Sequence, residues 1–497
     1  MQRIVLLFLI GLVPVFSWTQ TVDREQVEQS IKYLHLEEAV QLSAQLSPEK
    51  DAPYYQSRIL FLQFLITEDP TLWPLYLSHA KSSISTLDKL PDRDPEKKVM
   101  MAELFFLRGV GKMIDKKYIG SALDIKSACK LLDQNRSAFP ENVEQRKLLG
   151  IFQVAMNSIP RKLRWLSNAL CFRGDLDQGL EDLEVASRES KLMAAEAEVM
   201  LFYFEKNLLS EPEKAFERVE QLLVDHPGSP IFSYFKLSAL LEARKVDNAI
   251  AFCQVQEPVI FQDEKVSDLP LWYYSRAKAH YFKLEFGPAI KYFDSFLARY
   301  KGKTLYSDAL FRKGMSLVLQ DRYPEARRIF HQMAEVESST FDEDEYACRM
   351  AAIYRFQEPT DLDKDLFRAR NLFDGGYYQQ SLELLDKVQG QGGLNENQKA
   401  ELYYRLGRNF QATELPEQAE SEYLKCIATE PGQALWMKVY AHYYLGQLAE
   451  GRSDTGGART YYKTALGFDD YDYQSGLEQR CKAAIHRLKN QKDSSSQ

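Results

Sequence analysis

Apolar residues recur at helical spacing along most of this chain. In the stretches 26–46 and 54–66 they stand three and four residues apart, which is the period of an amphipathic α-helix. We find no segment with the strict apolar–polar alternation that marks a half-buried strand. The pattern therefore predicts an all-α protein.

A fixed spacing of small residues repeats within this helical pattern. Five pairs stand twelve positions apart: Ala277 and Ala289, Gly314 and Ala326, Ala369 and Ser381, Gly407 and Ala419, and Gly446 and Ala458. A large residue follows the second member of each pair by four positions, as Tyr423 follows Ala419. This is the tetratricopeptide pattern, in which small residues let two antiparallel helices approach closely. It predicts a tetratricopeptide-type α-solenoid of stacked antiparallel helical hairpins forming a superhelix.

The intervals between successive units are uneven. They measure 37, 55, 38 and 39 residues from Ala277 to Gly446, against about 34 in the standard repeat. The interval of 55 leaves room for an additional helix, and Glu345–Phe356 is the candidate.

The N-terminal half carries weaker repeats. Gly174, Gly179 and Ala186 fit a turn followed by a second helix, and Ala215 and Ala249 mark two further second helices. We predict degenerate helical repeats over 18–265, clear tetratricopeptide repeats over 266–490 and a disordered tail over 491–497.

The first residues have the layout of a secretory signal peptide. Arg3 precedes an apolar run from Ile4 to Val13, Pro14 ends the run, and cleavage near Ser17 fits. An uncleaved membrane anchor is the alternative. We expect residues 1–17 to be removed and the protein to be exported, as a periplasmic or envelope-associated protein.

Composition narrows the function further. The chain has 63 Lys and Arg against 71 Asp and Glu, a formal charge of −8, which argues against a dedicated nucleic-acid binder. Its hydrophobic fraction of 45% excludes wholesale disorder. The six cysteines match no zinc spacing. We interpret them as small core residues, and a single disulfide remains open.

Two acidic clusters are the main candidates for metal chemistry. Asp361, Asp363 and Asp365 resemble the start of a calcium loop, but Leu366 and Leu372 stand where that loop needs Gly and Glu. We therefore predict that the cluster caps the next helix. A second cluster contains Asp469, Asp470 and Asp472. It is interpreted as a solvated turn, with cation binding as the alternative.

No catalytic motif stands out. None of the seven histidines lies in H-E-x-x-H, and no G-x-S-x-G turn occurs. We expect no catalytic residues, metal or cofactor.

Three segments resemble a known family. Ile159–Ala186, Pro227–Gln254 and Tyr54–Pro70 are similar to segments of the tetratricopeptide repeat protein thirty-nine family, also called the Iml-two family. The resemblance implies a scaffold or adaptor without a catalytic motif. The signal peptide favours a bacterial, secreted relative over the cytosolic eukaryotic members.

The concave face of the predicted superhelix is the candidate partner-binding groove. The repeat register assigns these groove residues: Tyr273, Lys278, Tyr281, Phe311, Met315, Arg370, Phe373, Tyr404, Arg408, Tyr440 and Tyr443. Aromatic residues and Arg dominate binding hot spots, although any one of these side chains could instead pack between hairpins. Tyr404 and Tyr443 stand where a clamp for the terminal carboxylate of a partner would have Lys and Asn, which disfavours such a clamp.

Two functions remain. The first is a non-enzymatic scaffold of the cell envelope that binds protein or peptide partners in the groove. The alternative is a carrier or enzyme with a pocket for an apolar or lipid-like ligand inside the superhelix, which requires a deep enclosed cavity.

Overall fold

The computed structural model describes residues 22–46, 50–115, 117–157, 174–191, 193–209, 211–336, 339 and 341–494. These residues form helices and connecting turns, with no strand among them. The predicted all-α fold is confirmed. The predicted signal segment 1–17 lies outside the described residues, as do 495–497 at the end of the expected tail.

The helices of the first half are α1 Arg24–Lys32, α2 Leu36–Ser43, α3 Asp51–Thr67, α4 Leu72–Asp88, α5 Lys97–Ile114, α6 Tyr118–Ala138, α7 Arg146–Asn157, α8 Leu176–Glu189, α9 Ala194–Phe204, α10 Pro212–Asp225, α11 Pro230–Glu242 and α12 Val246–Phe261. Those of the second half are α13 Pro270–Phe282, α14 Phe286–Arg299, α15 Tyr306–Val318, α16 Tyr323–Met333, α17 Asp342–Tyr354, α18 Asp361–Gly375, α19 Tyr378–Gln391, α20 Glu396–Ala412, α21 Pro416–Ile427, α22 Leu435–Gly451, α23 Thr455–Ala465 and α24 Gln474–Ser494. A short 3-10 helix, Val143–Gln145, precedes α7, and a π-helical turn, Glu205–Leu209, follows α9.

Each of the five small-residue pairs joins the two helices of one hairpin. The hairpins are α13–α14, α15–α16, α18–α19, α20–α21 and α22–α23, and the helices of each pack together. Ala277 and Ala289 are fully buried where α13 meets α14. The predicted α-solenoid is confirmed, and so is the additional helix, because α17 lies between the second and third of these hairpins.

The turn inside each hairpin has a left-handed residue at a constant position. It follows the first small residue by seven positions, as Leu284 follows Ala277 and Glu414 follows Gly407. The other three are Asp321, Gly376 and Ser453. Glycine adopts this conformation without strain, yet only Gly376 of these five is a glycine.

The first predicted helical stretch, 26–46, is not one helix. It divides into α1 and α2 around Leu34, whose φ is 56°. Leu34 itself is fully buried. The helical period continues across the break, because both helices bury their apolar faces in the same core.

The superhelix brings distant units into contact. The Ser229 hydroxyl donates to the Lys32 carbonyl over 2.7 Å, and the Ser267 amide donates to the Leu34 carbonyl over 2.9 Å. Farther along, Lys301 pairs with Asp69 at 2.6 Å. The N-terminal hairpins therefore pack on the middle of the sequence, beyond the nearest-neighbour contacts of a simple repeat array.

The C-terminal end also closes onto earlier helices. Asp472 pairs with Arg349 of α17, and α18 packs on α13. Helix α24 touches the turn Glu205–Leu209 and runs to Ser494, into the segment predicted as a tail. These contacts tie the C-terminal helices to earlier parts of the superhelix.

The cysteines and the first acidic cluster lie largely where the sequence predicts them. Cys253, Cys426 and Cys481 are buried free thiols, as predicted for core residues, whereas the free thiol Cys348 is only partly buried and Cys171 lies outside the described residues. The first acidic cluster does cap α18, where Thr360 and Asp363 form a reciprocal capping box.

No helix in the described part of the protein is long and apolar enough to cross a membrane.

Candidate functional site: the concave cationic surface

Five cations among the described residues form a group on the inner face of the superhelix. They are Lys278 on α13, Arg312 on α15, Arg370 on α18, Arg408 on α20 and Arg480 on α24. Three of them, Lys278, Arg370 and Arg408, immediately follow the first small residue of their hairpin. That register turns them toward the inside of the array. We call these five residues the cationic surface.

Lys278 stands without a carboxylate partner among the described residues. Its ammonium lies 5.5 Å from the ring centre of Tyr274 and 5.7 Å from that of Phe282. Burial lowers the pKa of Lys278, and the positive charge of Arg312 lowers that pKa further. The amine is thus held among aromatic rings without the ion pair that normally compensates burial.

Arg312 and Arg370 continue the surface with carboxylates nearby. Arg312 pairs with the buried Asp308 at 2.5 Å. Arg370 donates to the Tyr346 hydroxyl over 3.1 Å, and Asp374 lies 3.9 Å away. The charge of Asp308 raises the pKa of Arg312, and the positive charge of Arg370 partly offsets that rise. The two guanidinium groups are therefore within electrostatic reach of each other.

Arg408 is held by rings instead of carboxylates. Its guanidinium lies 4.2 Å from the ring centre of Tyr444 and 5.0 Å from that of Phe373, and it donates to the Tyr404 hydroxyl over 3.2 Å. No carboxylate in the described residues contacts it. Stacking of this kind holds the side chain while leaving the guanidinium charge uncompensated.

Arg480 extends the surface from the last helix. It is exposed, and no described residue pairs with it. The charge of Arg408 acts on its pKa, so the two guanidinium groups are electrostatic neighbours. Three of the five cations, Lys278, Arg408 and Arg480, therefore lack a carboxylate partner among the described residues.

The structure separates the predicted groove residues into two groups. Seven are buried: Tyr281, Phe311, Met315, Phe373, Tyr404, Tyr440 and Tyr443. Met315 has no exposed surface, and Phe373 retains 1%. These side chains pack within and between neighbouring hairpins, behind the cations.

The other four predicted residues are half-buried. Lys278, Arg370 and Arg408 belong to the cationic surface. Tyr273 lies apart from them, stacked on Phe261 at 5.9 Å and under Arg299 at 4.7 Å. It packs between α12 and α14, which is the alternative that the sequence leaves open for each groove residue.

Sequence reasoning missed Arg312 and Arg480. Arg312 comes two residues before Gly314, outside the register positions used for the prediction. Arg480 lies on a helix beyond the last small-residue pair, where the repeat supplies no register. Packing of α24 on α22 brings Arg480 within electrostatic reach of Arg408.

A cavity of about 510 Å³ lies beside this surface, between α17, the start of α22 and the loop before α24. Asp342, Glu345, Asp472 and Glu478 line it, together with Trp436 and other residues. Apolar ligands occupy pockets with mainly apolar walls. The carboxylates of this cavity do not suit the alternative function as a carrier of lipid-like ligands.

The described residues hold no cluster of three or more His, Cys, Asp or Glu placed to bind a metal ion. The second acidic cluster lies in a turn, as interpreted, but Asp472 also pairs with Arg349.

The model of the family described as Iml2/Tetratricopeptide repeat protein 39 matches residues 146–340. The match spans less than half of the chain, which is similar to that family over these residues and has a fold of the tetratricopeptide-repeat type. Both Ile159–Ala186 and Pro227–Gln254 fall within the matched range, so the resemblance that these segments carry is confirmed. The third segment, Tyr54–Pro70, lies before it.

Solved structures of tetratricopeptide proteins are also similar. A tetratricopeptide repeat protein from Parabacteroides merdae ATCC 43184 is 15% identical, and the match covers 59% of this chain and 96% of that chain with a TM-score of 0.30. The hetero-tetramer Cut9–Hcn1 of the APC/C shares 10% identity over 94% of this chain and 95% of that chain, with a TM-score of 0.30. The TPR domain of P58(IPK) shares 14% identity over 88% and 99% of the respective chains, with a TM-score of 0.22. No curated protein matches this sequence significantly.

Proposed function

We propose that this protein is a non-enzymatic scaffold that binds protein or peptide partners on the concave face of its superhelix. The observation that carries the proposal is the cationic surface, in which Lys278, Arg408 and Arg480 lack carboxylate partners among the described residues. The protein as a whole has a charge of −8, so this concentration of unpaired cations does not follow from a basic composition. Such a surface favours acidic segments of a partner.

The aromatic wall behind the cations supports the same function. Rings of Tyr274, Phe373 and Tyr444 contact the cations and keep their long side chains from collapsing onto other residues. Preorganised cations lose less conformational entropy when a partner binds. The buried groove residues thus support binding from behind the surface.

Partner capture with charge variants tests this proposal. We expect a Lys278→Gln/Arg480→Gln variant to lose partners that the wild type recovers from its native source. The control is Arg328→Gln/Lys463→Gln, which removes two exposed cations from the second helices α16 and α23. A short fluorescent poly-glutamate peptide should bind the first variant about tenfold more weakly than the control. Equal recovery and equal peptide affinity would count against the concave surface.

We also propose that the scaffold works in the cell envelope, on the basis of the signal-like sequence over 1–17. N-terminal sequencing of the protein from fractionated cells tests this part separately. An N-terminus near residue 18 in the envelope fraction would support it, and a protein that starts at Met1 in the cytosol would contradict it.

A further inference from the structure

The cavity beside the cationic surface has the opposite charge. We call it the acidic cleft and define it by Asp342, Glu345, Trp436, Asp472 and Tyr473. It exists because the additional helix α17 and the loop before α24 meet the start of α22. The repeat pattern alone supplies no such site.

The carboxylates of the acidic cleft outnumber their counter-ions. Arg349 pairs with Asp472 and lies 5.5 Å from the ring centre of Tyr346. Among the described residues, Asp342 accepts a hydrogen bond from the Ser475 hydroxyl over 3.2 Å and contacts no cation, and Glu345 has no partner. Within the described part of the chain, Arg349 is therefore the one cation that lines the cavity, against five carboxylates, of which Glu478 pairs with Lys482 at 2.9 Å.

The carboxylates of the acidic cleft repel one another. Burial raises the pKa of Asp342, and the negative charges of Glu345 and Asp472 raise that pKa further. A cation placed among these groups would relieve the repulsion between them. The pair Arg349–Asp472 already shows the arrangement in which a cation lies between a carboxylate and an aromatic ring.

Trp436 supplies an observation that is independent of charge. Its side chain lines the cleft although only 6% of the residue is exposed, and its ring packs 5.3 Å from Tyr473 and 5.7 Å from Tyr440. No described residue accepts a hydrogen bond from its indole N–H. The indole nitrogen is not sealed from solvent, so a ligand carbonyl that enters the cleft can accept a hydrogen bond from it.

We propose that the acidic cleft binds a lysine or arginine side chain of a peptide segment. Asp342 and Glu345 pair with the cation, the rings of Trp436 and Tyr473 contact its aliphatic stem and charge, and the indole N–H donates to a peptide carbonyl. This site goes beyond the cationic surface, because it selects the opposite charge with different residues.

Isothermal titration of the full-length protein with two matched peptides tests the site. One peptide is a capped Gly/Ser pentapeptide with a central lysine, and the other has norleucine, which keeps the stem and removes the charge. We expect the lysine peptide to bind the wild type, and Asp342→Asn/Glu345→Gln to weaken that binding about tenfold. The matched control is Asp386→Asn/Glu417→Gln, which neutralises two exposed carboxylates outside the cleft.

The outcomes separate this site from the scaffold function. The proposal is overturned if lysine and norleucine peptides bind equally, or if the cleft variant and the control bind the lysine peptide equally. It is also overturned if Ca²⁺ binds at these carboxylates while the lysine peptide does not. Lys278→Gln/Arg480→Gln should bind the lysine peptide like the wild type, so failure of the concave surface would leave this result unchanged. If Asp342→Asn impairs folding, Glu345→Gln alone changes an exposed residue and should weaken binding about threefold.

Discussion

The ring of Tyr423 lies against the backbone of Gly407, so closely that a Cβ on the glycine would stand 2.6 Å from two ring carbons. The same relationship joins Gly446 with Tyr462, at 2.5 Å. Tyr423 also stacks on Tyr444 of the next hairpin, with ring centres 5.5 Å apart. The ring of Tyr423 thus packs between the two helices of its own hairpin and also contacts the next hairpin.

This contact predicts an unusual cost for alanine in a helix. Gly407→Ala should lower the free energy of unfolding by up to about 2 kcal/mol, because overpacking costs about 1–3 kcal/mol and alanine regains only roughly 1 kcal/mol in helix propensity. Urea unfolding measures the change. Gly390→Ala is the control, since Gly390 is helical in α19 and a Cβ there meets nothing within 4 Å. It should stabilise the protein by about 0.5–1 kcal/mol, and a loss of similar size in both variants would contradict the packing explanation.

The left-handed turn positions predict a stabilising substitution to glycine. Glu414 has φ 60° and is exposed between α20 and α21. Glu414→Gly should raise the unfolding free energy by about 0.5–1 kcal/mol, because the removal of strain outweighs the greater freedom of the unfolded state. At the equivalent position, Gly376→Ala should destabilise, since its Cβ would lie 2.1 Å from the Arg244 carbonyl oxygen. Thermal unfolding of both variants checks the opposite signs.

The buried Lys147 and the half-buried Lys278 should differ in how much stability is lost when their charge is removed. Lys147 lies 2.8 Å from Glu103 and also pairs with Glu196. Lys147→Met should cost about 3–5 kcal/mol, because Glu103 and Glu196 would then both depend on Arg58, which already pairs with Glu28.

Lys278→Met should cost less than about 1 kcal/mol, since no described carboxylate loses a partner. The pKa of Lys278 is lowered in the folded protein, so the charged amine destabilises the fold at neutral pH. The wild type should therefore become more stable relative to the methionine variant as the pH rises toward the ordinary pKa of lysine. Urea unfolding of both variants at two pH values measures this contrast. Similar losses at both positions would contradict it.

The N-terminal ion pairs predict a pH dependence of stability. Arg24 donates to Glu96 over 2.8 and 2.7 Å, and this bonding lowers the pKa of Glu96 to about 2. A depressed folded pKa stabilises the fold above the unfolded value and loses that effect as the pH falls through the folded one. Glu96→Gln should destabilise by about 1–2 kcal/mol at pH 7, a figure reduced for the partial exposure of Glu96. The difference in unfolding free energy between the variant and the wild type should become smaller between about pH 5 and pH 3. If urea unfolding gives the same difference at every pH, the carboxylate is not its cause.

The hairpins could be predicted because their packing is local in sequence. Gly314 and Ala326 stand twelve residues apart wherever the hairpin lies in the superhelix, and Phe330 must cover Gly314 for the two helices to approach. The additional helix α17 was predictable for the same reason, since the interval of 55 residues exceeded one hairpin. By contrast, the break at Leu34 could not be read from periodicity, which continues through the turn.

The sequence by itself determined the helical period, the hairpins and three cations of the concave surface. Only the tertiary structure decided that Met315 and Phe373 are buried, that Arg480 joins Arg408, and that Asp342 meets Asp472 across 130 positions of the sequence. The physical reason is the range of the interactions. Contacts within a hairpin depend on residues that are close in the sequence. Contacts between distant units depend on the sum of the small rotations between all successive units, so no single repeat determines them.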